Sequence, residues 1–125
     1  MMKVISTKDA PDAPFLSQAL TIGDLILVSG QIHSLPDNTL VGKTTTEKVA
    51  QIMKNISAIL NAAGSGLENV VKVVIYVTDM SVMPELNKIY PTYFKEPFPV
   101  REAVCVQALP LGATIEMSAI ATREA

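Results

Sequence analysis

The chain has 125 residues, 49% of them hydrophobic and 18% charged, with 10 Lys/Arg against 12 Asp/Glu and a net charge of −2. This composition excludes a disordered chain, and the length suits a single domain, 1–125, able to bury a core without disulfides or a structural metal. The basic residues form no stripe, which disfavours a nucleic-acid partner, and no apolar run approaches the roughly 20 residues of a membrane span.

In chain order, Lys3–Ser6 reads as a short strand, and Asp9–Pro14, with two prolines, as a loop. Ser17–Ile22 and Leu25–Ile32 flank Gly23-Asp24, a hairpin signal. A loop follows from Ser34 to Gly42, turning at Pro36-Asp37-Asn38, with His33 placed in solvent just before it. A helix then begins at Thr44 or Thr45, where Thr44 and Glu47 fit a capping box. Val49, Ile52, Met53, Ile56, Leu60 and Ala63 recur along it at helical spacing, and Gly64 and Gly66 end it. Val70–Thr78 is a nearly continuous β-branched run, predicted as a central strand buried on both faces. A second helix is predicted over about Val82–Phe94; Pro84 suits its first turn, and Pro91 should kink it or end it early. Pro99–Gln107 and Ala113–Ala121 are strand-like runs separated by the turn Leu109-Pro110-Leu111-Gly112.

The order β-β-β-α-β-α-β-β favours an α+β fold of split βαβ type, a mixed sheet with both helices on one face. The other face is expected to carry Lys72, Val74 and Tyr76 together with the rows of Arg101 and Glu116. That surface is too apolar for water and too polar for a dry core, which points to burial against other subunits.

With period 2, Arg101 shares a face with Ala103, Cys105 and Gln107, and Glu116 shares one with Thr114, Ser118 and Ile120. A guanidinium and a carboxylate among small residues can hold a small anion and a water. From residue types alone, such a pair is more often a structural or interface salt bridge. Asn87 and Tyr90, three apart on the predicted second helix, share a face and are either pocket wall or ordinary capping and packing residues. His33 and Cys105 are the only histidine and cysteine, so no Cys/His ligand cluster exists, and neither metal nor cofactor is expected. The lone cysteine suits a reducing compartment, and the first residues lack a signal-peptide core, so a cytoplasmic location is expected.

Pro99-Val100-Arg101, Leu109-Pro110-Leu111-Gly112-Ala113 and Ile115-Glu116-Met117 with Ala119-Ile120-Ala121 resemble the signature of the RidA/YjgF family. These are the reactive imine/enamine deaminases, also known as endoribonuclease L-PSP. Ser17-Gln18-Ala19, Val28-Ser29-Gly30-Gln31-Ile32, Asn61-Ala62-Ala63-Gly64, Asn69-Val70-Val71-Lys72 and Val77-Thr78-Asp79-Met80 resemble family blocks in the family's order, as do Asn87, Tyr90, Tyr93 and Phe94. The resemblance implies a chorismate-mutase-like fold, a homotrimer with a cleft at each subunit interface, and hydrolysis of 2-imino acids such as 2-iminobutanoate and 2-iminopropanoate to 2-keto acids and ammonia. It assigns Arg101 to the substrate carboxylate and Glu116 to the attacking water. Ser29 with Gly30, and the backbone of Ala103, are assigned to the pocket lining.

The sequence departs from that family where deaminating members often have a tyrosine, just before Ser-Gln-Ala. Here Pro14-Phe15-Leu16-Ser17 puts Phe15 or Leu16 in its place, without a phenolic hydroxyl. Glu102 and Ala103 are also departures. A trimeric binder of small carboxylates or 2-keto acids, and a ribonuclease or translation inhibitor, are the alternative readings.

Overall fold

The structure is a computed structural model that describes residues 2–123. Six strands form one mixed sheet: β1 (Met2–Ile5), β2 (Ala19–Ile22), β3 (Leu25–Ile32), β4 (Val70–Val77), β5 (Val100–Cys105) and β6 (Ile115–Thr122). Their spatial order is β1-β2-β3-β6-β4-β5. Every neighbouring pair is antiparallel except β4 and β5, which run parallel. The last two strands, although consecutive, are therefore not partners, because β4 lies between them.

The long helix α1 (Thr45–Ala62) starts where its capping box predicts. Thr44 Oγ1 accepts the Glu47 N–H, and Glu47 Oε1 accepts the N–H groups of Thr44 and Lys43. These hydrogen bonds hold the exposed Glu47 carboxyl below the usual carboxylate range. The second helix, α2, is shorter than predicted, Met83–Ile89, and passes into a 3₁₀ turn over Tyr90–Tyr93. Pro91 lacks the N–H that a continuing α-helix would need. Glu85 ties the two helices together by accepting the Thr46 N–H and hydroxyl at 2.9 and 2.8 Å. No helix among the described residues is long and apolar enough to cross a membrane.

Both helices pack on one face of the sheet. Ile26, Val28, Val73, Ile75, Val77, Ile115 and Met117 meet Ile52, Met53, Ile56, Ile59, Leu60 and Leu86 in one core. β4 is not buried on both faces as its composition predicted: Val73, Ile75 and Val77 are buried, whereas Lys72, Val74 and Tyr76 are partly exposed. The opposite, open face of the sheet leaves Met2, Val4, Ile22, Leu25, Leu27, Val100 and Val104 exposed. Between Val28 and Gln31, β3 carries one residue more than β6 needs, a bulge at Ser29-Gly30. Because of this bulge, Val28 and Gln31 both face the helices.

Candidate functional site

Glu116, the second residue of β6, projects on the open face, opposite Ile32 of β3 and Tyr76 of β4. Its carboxylate lies against Gly30 in the bulge. A Cβ added to Gly30 would overlap Glu116 Oε2 and sit 3.0 Å from Cδ, so a residue with a side chain would displace the acid. Glu116 is half-buried and has no hydrogen-bond or ion-pair partner among the described residues. Burial alone raises its pKa above the ordinary carboxylate value.

The carboxylate opens into a cavity of about 500 Å³ whose walls include Gly30, Phe15, Leu16, Pro110 and Leu111. Two loops shape it. The first, over residues 7–16, is organised by buried Gln18. Gln18 Oε1 accepts the Thr7 N–H at 2.7 Å, and Nε2 lies 2.9–3.1 Å from the carbonyl oxygens of Thr7, Ala10 and Pro11. The second is the turn at Pro110–Gly112, in which Leu111 adopts φ +59°.

His33 braces this second turn. It is 3% exposed, not solvated as its place in the sequence suggested. Its Nδ1 lies 2.9 Å from the Val41 carbonyl, and its Nε2 accepts the Thr114 N–H at 3.0 Å. The two contacts together require the Nδ1–H tautomer. Burial, with Lys48 nearby, holds its pKa below the ordinary histidine value despite the Val41 bond. Neither role is legible in the sequence: Gln18 acts through backbone groups of a loop 7–11 residues away, and His33 through the Thr114 N–H, 81 residues on.

Arg101 is elsewhere. In β5 it pairs with Val73, and Ala103 and Cys105 pair with Ile75 and Val77. The Arg101 row therefore shares the helix face, not the open face expected for it. The parallel register with β4 decides this, and no local pattern within β5 reports it. β5 is an edge strand, so the helices leave Arg101 exposed there. Its guanidinium carbon stands 5.1 Å from the centre of the Tyr90 ring, and it has no hydrogen bond or ion pair among the described residues. Tyr90 is 4% exposed, and its hydroxyl is buried without a partner among the described residues. Glu102, one residue on, faces the open side and pairs with Lys72 at 3.2 Å. Both groups are solvated, so this pair contributes little.

Within one chain, Arg101 and Glu116 are thus on opposite faces of the sheet, and the single pocket the sequence suggested is divided. Glu116, Gly30, Phe15 and Leu16 come together on one face; Arg101, Tyr90 and the partly buried Ala103 come together on the other. Ser29 joins neither group: its hydroxyl donates to the Ser17 carbonyl at 2.6 Å, in a separate groove with Leu20 and Leu27. Asn87 is exposed while Tyr90 is buried beside Leu86, so those two do not share a face. A wider depression of about 620 Å³, bounded by Lys43, Glu47 and Lys54, lies along α1 with only surface charges and is not part of either half.

The family model described as "Endoribonuclease L-PSP" matches residues 7–123. The chain is 43% identical over 122 residues to the human 2-iminobutanoate/2-iminopropanoate deaminase, covering 95% of this chain and 88% of that one. The crystal structure of YEO7 from yeast superposes with a TM-score of 0.93 at 40% identity, covering 98% of each chain. E. coli TdcF, solved with bound serine, superposes with a TM-score of 0.89 at 27% identity, covering 97% of this chain and 98% of that one.

Proposed function

Because the chain belongs to the endoribonuclease L-PSP family, the RidA/YjgF family, we propose that it hydrolyses reactive 2-imino acids to 2-keto acids and ammonia. The observation that carries this reading is Glu116. A carboxylate held half-buried, without a counter-charge, against the one residue type that leaves it room has no structural partner to serve. Its raised pKa makes the ionised form a better base than a solvated glutamate. The similarity to the human deaminase supports the choice of reaction.

The separation of Arg101 from Glu116 is accommodated by assembly. The apolar open face calls for a covering surface, and the reading that suits it is a homotrimer in which each site takes Glu116 from one chain and Arg101 from its neighbour. The guanidinium holds the substrate carboxylate through paired N–H donors. Glu116 orients a water toward the imine carbon and accepts its proton as the C–O bond forms. Glu116 returns that proton to the nitrogen. The carbinolamine then collapses, its hydroxyl giving up the remaining proton through the same carboxylate to the nitrogen as the C=O bond forms and the C–N bond breaks, so that ammonia leaves and the 2-keto acid remains. The imine carbon is already electrophilic, so positioning supplies much of the acceleration.

A second reading, a binder of small carboxylates without turnover, is favoured by Phe15 and Leu16, which bring no hydroxyl to the cavity. A coupled assay separates the two. An amino-acid oxidase generates the imine, and 2-keto acid release is timed with and without the protein. Faster release supports the deaminase. Unchanged release, with 2-keto acid binding seen by calorimetry, replaces it with the binder.

A further inference from the structure

We propose, resting on the deaminase reading, that the Glu116 cavity selects 2-imino acids with a bulky apolar side chain, branched aliphatic or aromatic, over the three-carbon imine and over acidic ones. The first argument is size. The chain's own half of the site is an open depression of about 500 Å³, which leaves room beside Glu116 for more than a three-carbon acid.

The second argument is the wall. Its apolar side chains include Phe15, Leu16, Ile32, Pro110 and Leu111, beside the uncharged polar Gln31, Ser34 and Asn38. Its charged side chains are Asp12 and Glu116, both carboxylates, and its lining includes no lysine or arginine. The substrate carboxylate is repelled from this space and belongs with the guanidinium of Arg101. With the imine carbon beside Glu116 and the carboxylate directed away, the substrate's own side chain is the part left to meet the apolar wall. A second carboxylate on that side chain would face Asp12 and Glu116 at close range.

The third argument is Leu111. A leucine at φ +59° is in a region that large L-residues seldom occupy, and here the side chain is 63% exposed. Phe15, across the cavity, is 84% exposed. Neither gains core burial within the chain. Both line the cavity into which the substrate's side chain is directed.

The test measures kcat/KM for imines generated from leucine, phenylalanine and alanine, and calorimetric affinities for 4-methyl-2-oxopentanoate, pyruvate and 2-oxoglutarate. A preference of about tenfold or more for the leucine- and phenylalanine-derived imines over the alanine-derived one is expected, since each added methylene in an apolar pocket changes discrimination by roughly that factor. The order of affinity should be the branched keto acid, then pyruvate, then 2-oxoglutarate. Leu111→Asn, which suits a positive φ but removes the apolar group, should bring the imine ratio toward one. Equal or faster turnover of the alanine-derived imine overturns the selectivity and leaves the deaminase reading standing. If no imine is turned over, the deaminase reading fails, and the calorimetric order alone decides the selectivity: equal affinities overturn it, and a tenfold preference for the branched acid sustains it.

Discussion

Arg101 lies over the ring of Tyr90, with its guanidinium carbon 5.1 Å from the ring centre. An aromatic face attracts the cation without using any of its N–H donors, which leaves the whole fork free for a carboxylate. The ring is itself fixed by Phe94, 5.0 Å away and tilted by 47°. A carboxylate in Tyr90's place would hold the arginine as firmly but would neutralise the group proposed to recognise an anion.

The first prediction concerns this platform. Tyr90→Phe keeps the ring and removes a buried hydroxyl with no partner, so 2-keto acid affinity should stay close to normal and stability should not fall. Tyr90→Leu should weaken the ligand by about 0.5–2 kcal/mol, the range of a cation–π contact. Arg101→Lys keeps the charge but loses the fork and should cost roughly 1.5–3 kcal/mol. Calorimetry on the three variants gives the comparison; an unchanged affinity in Arg101→Lys would remove the clamp.

The second prediction concerns Glu116→Gln. Turnover should fall about 10²–10⁴-fold, as for a positioned acid–base group. The melting temperature at pH 7 should rise. The folded-state pKa of Glu116 lies above its unfolded value, so the folded chain binds this proton more tightly. The associated stability is complete below the unfolded pKa and is lost as pH rises through the folded one. At pH 7 the ionised carboxylate is therefore a burden that glutamine lifts, and near pH 4, where the acid is largely neutral, the two proteins should melt together. Normal turnover with a lowered melting temperature would make Glu116 a structural residue.

The third prediction has the opposite sign. The folded-state pKa of His33 is depressed, so the unfolded chain takes up the proton first as pH falls. Its contribution is full above the ordinary histidine pKa of about 6.5 and declines below it, toward the folded value. Urea midpoints at pH 7.5 and 5.5 should show this decline in the natural protein. In His33→Leu it should disappear, and stability at pH 7.5 should drop by about 1 kcal/mol or more, since the part-buried Thr114 N–H and Val41 C=O lose their partner.

The fourth prediction tests the covered face. Light scattering at micromolar concentration should give a mass near three chains. Leu27→Glu places a charge on the open face at a side chain already exposed in the single chain, so it should yield a monomer with unchanged far-UV circular dichroism. A monomeric natural protein would remove the composite site together with the trimer.

What the sequence revealed follows the range of the forces involved. The start of α1 was legible because Thr44 and Glu47 are three residues apart and the capping box is entirely local. The limits of β3, Leu25–Ile32, were legible because Gly23-Asp24 marks the hairpin and apolar residues bound the run. The facing of Arg101 is not legible, because it comes from the register of β5 with β4, some 28 residues earlier in the chain. The fit of Gly30 to Glu116 is hidden because it requires both a bulge and a neighbour from β6. The burial of His33 is hidden because both its partners come from other segments. The residues of the candidate site were thus readable as types, while their division between two faces was not.

That division has a genetic consequence. In the proposed trimer each site takes Arg101 from one chain and Glu116 from another, so Arg101→Lys and Glu116→Gln would damage different halves of it. Two alleles, each strongly impaired alone at limiting substrate, should recover activity when expressed together. Random assembly from equal amounts leaves about a quarter of the sites with both natural residues, since each of the two contributing chains has an even chance of carrying its intact half. Activity near that fraction in co-expressed protein, and no recovery in the separately purified variants mixed without exchange of subunits, would identify the site as shared property of neighbouring chains.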